Sequence, residues 1–337
     1  MRTRAIFGCA GMSLGADERA FFREIQPWGF ILFARNVHDR EQIRSLVSSL
    51  RDTVGDSRAP VLIDQEGGRV ARLRPPGWKE RPPAARFGLV YASQHEAGTE
   101  ACYLNARLIA HDLAEVGINV DCIPVLDLPA EGADAVIGDR AFSRDPVAVI
   151  DLARAQIEGL MDGGVLPVMK HVPGHGRATA DSHLALPRVE TGAEELSATD
   201  FVTFRSLDTC AMAMTAHVVY EAIDPQRPAT TSPKVIRDVI RGEMGFDGLL
   251  ISDDLSMNAL AGPLSVRTKA ALFAGCDIVL HCNGKMDEMK DVASEVKPLE
   301  GHTLRRAEHA LSHLVAPDAF DPAAAEARLT ELLGLIA

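Results

Sequence analysis

At 337 residues, 47% of them hydrophobic and 24% charged, the chain has an ordinary globular composition with enough apolar material for a large core. A formal net charge of −12 and a pI near 5.4 argue against nucleic acid and anionic membranes as main partners. Six cysteines, at 9, 102, 122, 210, 276 and 282, lie in apolar runs without CxxC spacing, as reduced core thiols do.

No stretch has the roughly eighteen apolar residues that a membrane span needs. Arg2 and Arg4 lead into Ile6-Phe7-Gly8-Cys9, but that run is too short for a secretion signal, so a cytoplasmic protein is expected.

Short apolar runs recur along the chain: Ala5–Cys9, Gly29–Phe33, Pro60–Ile63, Ile118–Leu126, Leu166–Met169, Ala211–Ala216, Gly248–Ile251 and Asp277–Leu280. Between them, Arg40–Val54, Glu96–Val116, Pro146–Met161, Pro233–Met244 and Leu264–Ala274 carry apolar residues at three- and four-residue spacing, the period of a helix. Gly117, Gly163-Gly164, Gly245 and Gly275 follow these segments and suit helix C-termini. Ser232-Pro233 reads as a cap followed by proline at the first helical position. Eight strands alternating with helices predict a parallel sheet, and eight is the number that closes a (β/α)8 barrel. The expected fold class is therefore α/β, a single-domain (β/α)8 TIM barrel over residues 1–337. From about Gly301, one or two helices should pack on the barrel, the Ala323–Arg328 stretch on its exterior. An open doubly wound sheet is the alternative, but no G-x-G-x-x-G turn follows the first strand.

In such a barrel the reacting groups stand where strands end. Asp64, Asp127, Lys170-His171, His217, Asp253-Asp254 and His281 with Asn283 all follow predicted strands. The richest stretch is 166–183, LPVMKHVPGHGRATADSH, which turns from apolar to charged and histidine-rich at Lys170. Pro173, Gly174 and Gly176 force a loop there, and turn chemistry alone has no use for three imidazoles. Residue types leave three chemistries open. Lys170 could form a Schiff base, His171, His175, His183 and Asp253 could hold a divalent metal, or paired acids could cleave a glycoside.

KHVPGHGRATADSH, DQEGGRVARLR at 64–74, ISDDLSM at 251–257 and IGDRAF at 137–142 together resemble the family 3 glycoside hydrolases. The likeness is strongest to the small single-barrel bacterial β-N-acetylglucosaminidases (β-hexosaminidases) of the NagZ type. Val172 departs from the family's usual Phe, and Arg177-Ala178 replace a commoner acidic-hydroxyl pair.

The resemblance implies a retaining exo-acting enzyme that removes terminal N-acetylglucosamine from 1,6-anhydromuropeptides in cell-wall recycling. Asp253 would be the nucleophile, His183 the general acid/base and Asp181 the residue orienting it. Asp64, Arg72, Arg140, Lys170 and His171 would hold sugar hydroxyls. Asp254 is read as a carboxylate at a helix N-terminus or one supporting the site from behind, Arg69 as structural, His175 as a loop brace, and His217 and Met257 as pocket walls. Gly174 and Gly176 suggest a loop that swings over bound sugar. No cofactor or metal is expected, the partner is a small-molecule glycan, and the protein should be a monomer or weak dimer. As strand-end residues outside the core, the binding groups should be replaceable without loss of stability.

Overall fold

The computed structural model describes residues 1–132, 136–178, 186–207 and 210–336. The apolar runs become strands because β-branched and aromatic residues pack well when both faces of a sheet are covered. They are β1 (Thr3–Gly8), β2 (Pro27–Leu32), β3 (Val61–Ile63), β4 (Val120–Asp121), β5 (Leu166–Pro167) and β6 (Met169–Val172). After β7 (Arg188–Val189) come β8 (Met212–Thr215), β9 (Val219–Tyr220), β10 (Leu249–Asp254) and β11 (Ile278–His281).

The main sheet is parallel and runs β5-β4-β3-β2-β1-β11-β10-β8-β6. Because β5 and β6 are two ends of one stretch, 166–172, this sheet is a ring. Leu166 pairs with Val120 on one side, and Met169 pairs with Ala213 on the other. Between them the Val168 N–H donates to the Asp121 and Ile123 carbonyls, each at 3.0 Å. Among the described residues the barrel thus has eight staves, as the alternation predicted.

The helices are α1 (Ala16–Ile25), α2 (Arg40–Val54), α3 (Ala84–Ser93), α4 (His95–Glu115) and α5 (Pro146–Asp162). They continue with α6 (Ala193–Ala198), α7 (Asp200–Arg205), α8 (Leu264–Ala274), α9 (Met286–Ala293), α10 (Gly301–Ser312) and α11 (Pro322–Leu333). Val235–Glu243 is wound as a π-helix where an ordinary helix was expected, and nothing in its sequence explains the wider turn. The Ser232 hydroxyl does accept the Val235 N–H at 3.1 Å, as a cap should.

Two apolar layers result. One fills the barrel with side chains such as Ile6, Leu62, Val168, Met212 and Ile278; the other lies between sheet and helices. Ala307 and Ala310 of α10 belong to the inner layer, so α10 closes the end of the barrel where the strands begin. Arg306 secures it to Asp277 at 3.1 Å and to Asp247 at 2.6 Å. Of the two C-terminal helices, α11 packs outside, against α3 and α4. All six cysteines are free and buried. Among the described residues, no helix is long and apolar enough to cross a membrane.

Candidate active site

Where the strands end, a cavity of about 310 Å³ opens. Asp64, Arg72, Arg140, Lys170, His171 and Asp253 all line it, brought together from five segments of the chain. Asp181 and His183 lie outside the described residues.

One wall is an alternating chain of charge. Arg72 meets Asp64 at 3.0 Å, Asp64 meets Lys170 Nζ at 2.9 Å, and Lys170 meets Glu66 at 2.6 Å. Glu66 then accepts both Nε and Nη2 of Arg140, at 2.8 and 2.9 Å. Burial alone would raise both carboxyls, but Lys170 with Arg72, and Lys170 with Arg140, outweigh it and hold both below their ordinary values. Burial would likewise lower the Lys170 amine, yet Asp64 and Glu66 carry it above the usual lysine value. An imine-forming lysine needs a free amine, so this environment speaks against the Schiff-base reading.

Lys170 is only 2% exposed, which overturns the expectation that every binding residue is thermodynamically idle. Lys170→Ala would remove the buried ammonium between buried Glu66 and partly exposed Asp64, leaving each carboxylate with only its guanidinium partner, Arg140 or Arg72. We expect a stability loss on the order of 3–5 kcal/mol, as when a buried pair loses one partner. Arg140→Ala, at the end of the chain, should instead cut kcat/KM by about tenfold or more, the worth of one charged hydrogen bond. Denaturant melts and steady-state kinetics on both variants separate the two effects, and a normally stable Lys170→Ala would refute the buried-pair account.

Glu66 and Gln65 were missed in the sequence, although both stand in the quoted 64–74 stretch. Gln65 Oε1 accepts the Arg72 and Leu73 N–H groups at 2.8 and 3.0 Å, pinning the Arg72 segment beside Asp64. Gly67 and Gly68, both at positive φ, make the turn that folds 64–66 back on 70–73.

Lys170 and His171 are consecutive yet both reach the cavity. The register against β8 slips between Lys170 and Val172, so two residues oppose one, and such a bulge re-aims a side chain. His171 Nδ1 donates to Asp127 Oδ2 at 2.7 Å, which puts the proton on Nδ1 and leaves Nε2 for a ligand. Asp127 also accepts the His175 N–H at 2.7 Å. Burial would raise the Asp127 carboxyl, but His171 and the loop's N–H groups bring it down to about 2. His175 is buried beside His171, and burial lowers its imidazole to about 4, so it is neutral near pH 7. It does brace the loop, and it also lines the cavity.

The start of the histidine loop is packed rather than free. A Cβ on Gly176 would sit 2.0 Å from the Leu128 carbonyl oxygen, and the Tyr220 hydroxyl donates to the Gly174 carbonyl. Arg177, one of the departures from the family pattern, holds Asp200 at 2.6 Å and Glu195 at 2.8 Å. Gly176 therefore serves close approach, while Gly174, at φ +139°, holds a backbone conformation that other residues rarely adopt. Beyond the loop, β7 pairs with β9 in a small separate sheet.

Asp253, at the end of β10, lines the same cavity. Among the described residues its carboxylate has no cationic partner. Oδ1 accepts the Asp254 N–H at 2.8 Å, and Oδ2 is left to the cavity. Burial would raise this carboxyl, but His217, His171 and the Asp254 N–H outweigh it and hold it below the ordinary value. Asp254 supports the turn after β10 rather than a helix N-terminus, taking the Ser256 N–H and hydroxyl at 3.0 and 2.6 Å and the Cys282 N–H at 3.2 Å. Met257 is a wall of the cavity; His217 is not, being fully buried behind it.

Residues 13–316 match the family model described as the glycosyl hydrolase family 3 N terminal domain. The chain belongs to glycosyl hydrolase family 3. It is 43% identical over 284 residues to a β-hexosaminidase of Alkalilimnicola ehrlichii, covering 82% of this chain and 80% of that one. A β-hexosaminidase of Methylococcus capsulatus is 40% identical over 302 residues, covering 88% and 87%. In structure the chain is similar to NagZ from Neisseria gonorrhoeae in complex with N-trifluoroacetyl-D-glucosamine. The TM-score is 0.87 at 31% identity, over 100% of this chain and 98% of that one. The family 3 barrel and glycosidase chemistry expected from the motifs are thereby established. No three His, Cys, Asp or Glu residues among those described are grouped as ligands of a metal ion.

Below the charged wall of this family 3 barrel lies Asp121, on β4. Its Oδ1 accepts the Gln65 N–H at 2.9 Å, while Oδ2 has no partner among the described residues. Burial pushes its carboxyl from 3.8 up to about 8. The folded state thus keeps a proton that the unfolded chain releases, and this group's stabilisation is lost as pH rises from about 4 to about 8. Asp121→Asn keeps the acceptor and the volume and has no proton to lose. Thermal melts should show the variant gaining on wild type from about pH 5 to pH 8, and parallel curves would exclude a protonated Asp121.

Proposed function

We propose that this protein is a retaining exo-β-N-acetylhexosaminidase that cleaves terminal β-linked N-acetylglucosamine through a covalent glycosyl-enzyme on Asp253. The observation that carries the proposal is the Asp253 carboxylate, without an ion-pair partner among the described residues, lining the same cavity as the charged chain from Arg72 to Arg140, a cavity near the small end of ligand sites, about 300–1,000 Å³. Fixed ammonium, guanidinium and carboxylate groups suit a rim of sugar hydroxyls. Val70, Val136 and Met257 add an apolar wall that suits an acyl group.

Arg72, Arg140, Lys170, His171 and Asp64 bind the terminal sugar in this reading, with Glu66 keeping Lys170 and Arg140 in place. Oδ2 of Asp253 attacks the anomeric carbon. His183, oriented by Asp181, protonates the leaving oxygen and later takes a proton from the attacking water. No cofactor enters the chemistry. The natural substrates are N-acetylglucosaminyl-1,6-anhydromuropeptides of cell-wall recycling, met in the cytoplasm, and this finer reading rests on the motif resemblance. The test compares nitrophenyl N-acetyl-β-glucosaminide with the β-glucoside, with and without phosphate, and follows the anomer first released. Preference for the N-acetylated substrate, indifference to phosphate and a β product are expected. An α product, or turnover that depends on phosphate, defeats the proposal.

A further inference from the structure

Behind Asp253, away from the cavity, a ring of hydrogen bonds grips the backbone on both sides of the Asp253–Asp254 peptide. The Asp253 N–H donates to Thr215 Oγ1 at 3.3 Å. Thr215 Oγ1 lies 2.8 Å from Thr230 Oγ1, which lies 2.7 Å from His217 Nδ1. His217 Nε2 lies 2.9 Å from the Asp254 carbonyl oxygen, which can only accept, so Nε2 carries a proton. Thr230 Oγ1 also donates to the Ala216 carbonyl oxygen at 3.1 Å, so the two threonines and His217 are tied to the β8 backbone as well as to Asp253 and Asp254.

Thr215, His217 and Thr230 are each 0% exposed, so water cannot take the place of a lost member. Thr215 and His217 come from β8 and its end, while Thr230 sits on the 3-10 turn Ala229–Thr231. The grip therefore ties β10 to two other parts of the barrel rim. Within it, the Asp254 N–H holds Asp253 Oδ1, and only Oδ2 is left for a substrate.

We propose that Thr215, Thr230 and His217 are positioning residues for the nucleophile. They fix the 253–254 backbone so that Asp253 Oδ2 meets the anomeric carbon. The inference rests on the reading of Asp253 as the nucleophile. None of the three lines the cavity, so losing the ring should impair attack and not sugar binding.

The deciding variants are Thr230→Val, which keeps the shape and removes the hydroxyl shared by Thr215 and His217, and Thr230→Ser, which restores it. Two quantities are read for each: the inactivation rate at saturating 5-fluoro glycosyl fluoride of N-acetylglucosamine, and the dissociation constant of N-acetylglucosamine. Thr230→Val should slow inactivation by about ten- to a hundredfold, as small misplacements of reacting groups do, with the dissociation constant unchanged. Thr230→Ser should recover most of the rate. Thr215→Ala, which cuts the ring at another member, should reproduce the loss and keeps the test decisive if Thr230→Val does not fold. An unchanged rate in Thr230→Val overturns the inference. So does a loss that Ser does not recover, or one matched by weaker sugar binding. Mapping the adduct in wild type separates the two levels. An adduct elsewhere than Asp253 removes the underlying reading, whereas one on Asp253 with normal Thr230→Val kinetics removes only the ring.

Discussion

Asp253→Ala should abolish turnover, lowering kcat on the order of 10⁴-fold or more, because a missing nucleophile cannot be replaced by positioning alone. The variant should fold normally, since Asp253 has no ion pair to break among the described residues and its loss strands no buried cation. In wild type, a slow 5-fluoro glycosyl substrate should leave a covalent adduct on Asp253, recoverable in a digest. The pH dependence has a definite sign. The folded-state carboxyl lies below its ordinary value of 3.8, so the reactive carboxylate persists above that pH and is lost only as pH falls further. The step that forms the adduct should therefore show no acid limb from Asp253 above about pH 4. An adduct on Asp254 would move the nucleophile one residue and leave the geometry of Oδ2 without a purpose.

For His183→Ala the expected loss depends on the leaving group. A general acid matters most when the departing oxygen is a poor leaving group, and such catalysis contributes about 10²–10⁴-fold. Cleavage of a natural disaccharide should fall by that order. A dinitrophenyl glycoside, whose phenolate leaves unaided, should form the glycosyl-enzyme with a far smaller loss. The intermediate should then accumulate, because the same histidine is needed as base for the attacking water, and azide should speed its breakdown. Asp181→Asn should show a weaker form of the same pattern, since it acts through the ring of His183. Equal losses on good and poor leaving groups would reduce His183 to a binding residue. The proton donor would then have to be sought among other groups at the cavity, and His175 would be a poor choice, because its lowered imidazole is neutral near pH 7 and has no acidic proton to give.

Much of this architecture was legible in the residues themselves. Short apolar runs alternating with period-3.6 segments found all eight staves, and α2 and α8 were read with the boundaries they have, Gly55 and Gly275 ending them in left-handed conformations. Strand ends pointed to Asp64, Lys170, His171 and Asp253, since barrel topology brings strand ends together whatever their separation in sequence, while Arg72 and Arg140 came from the motif resemblance alone. Three things were decided only by tertiary packing. Pairing across the barrel made Glu66 a member of the charged chain, because whether a carboxylate meets Lys170 and Arg140 depends on side-chain reach between segments 74 and 104 residues apart. Backbone crowding set the use of Gly176, which looks like a hinge in sequence and is a contact with Leu128 in space. The supports of Asp253 were also hidden, because Thr215 and Thr230 carry no pattern of their own and His217, though found at a strand end, was read as a pocket wall. A hydrogen-bond ring exists only once β8, β10 and the 229–231 turn are held a few ångströms apart, and that distance is a property of the closed barrel.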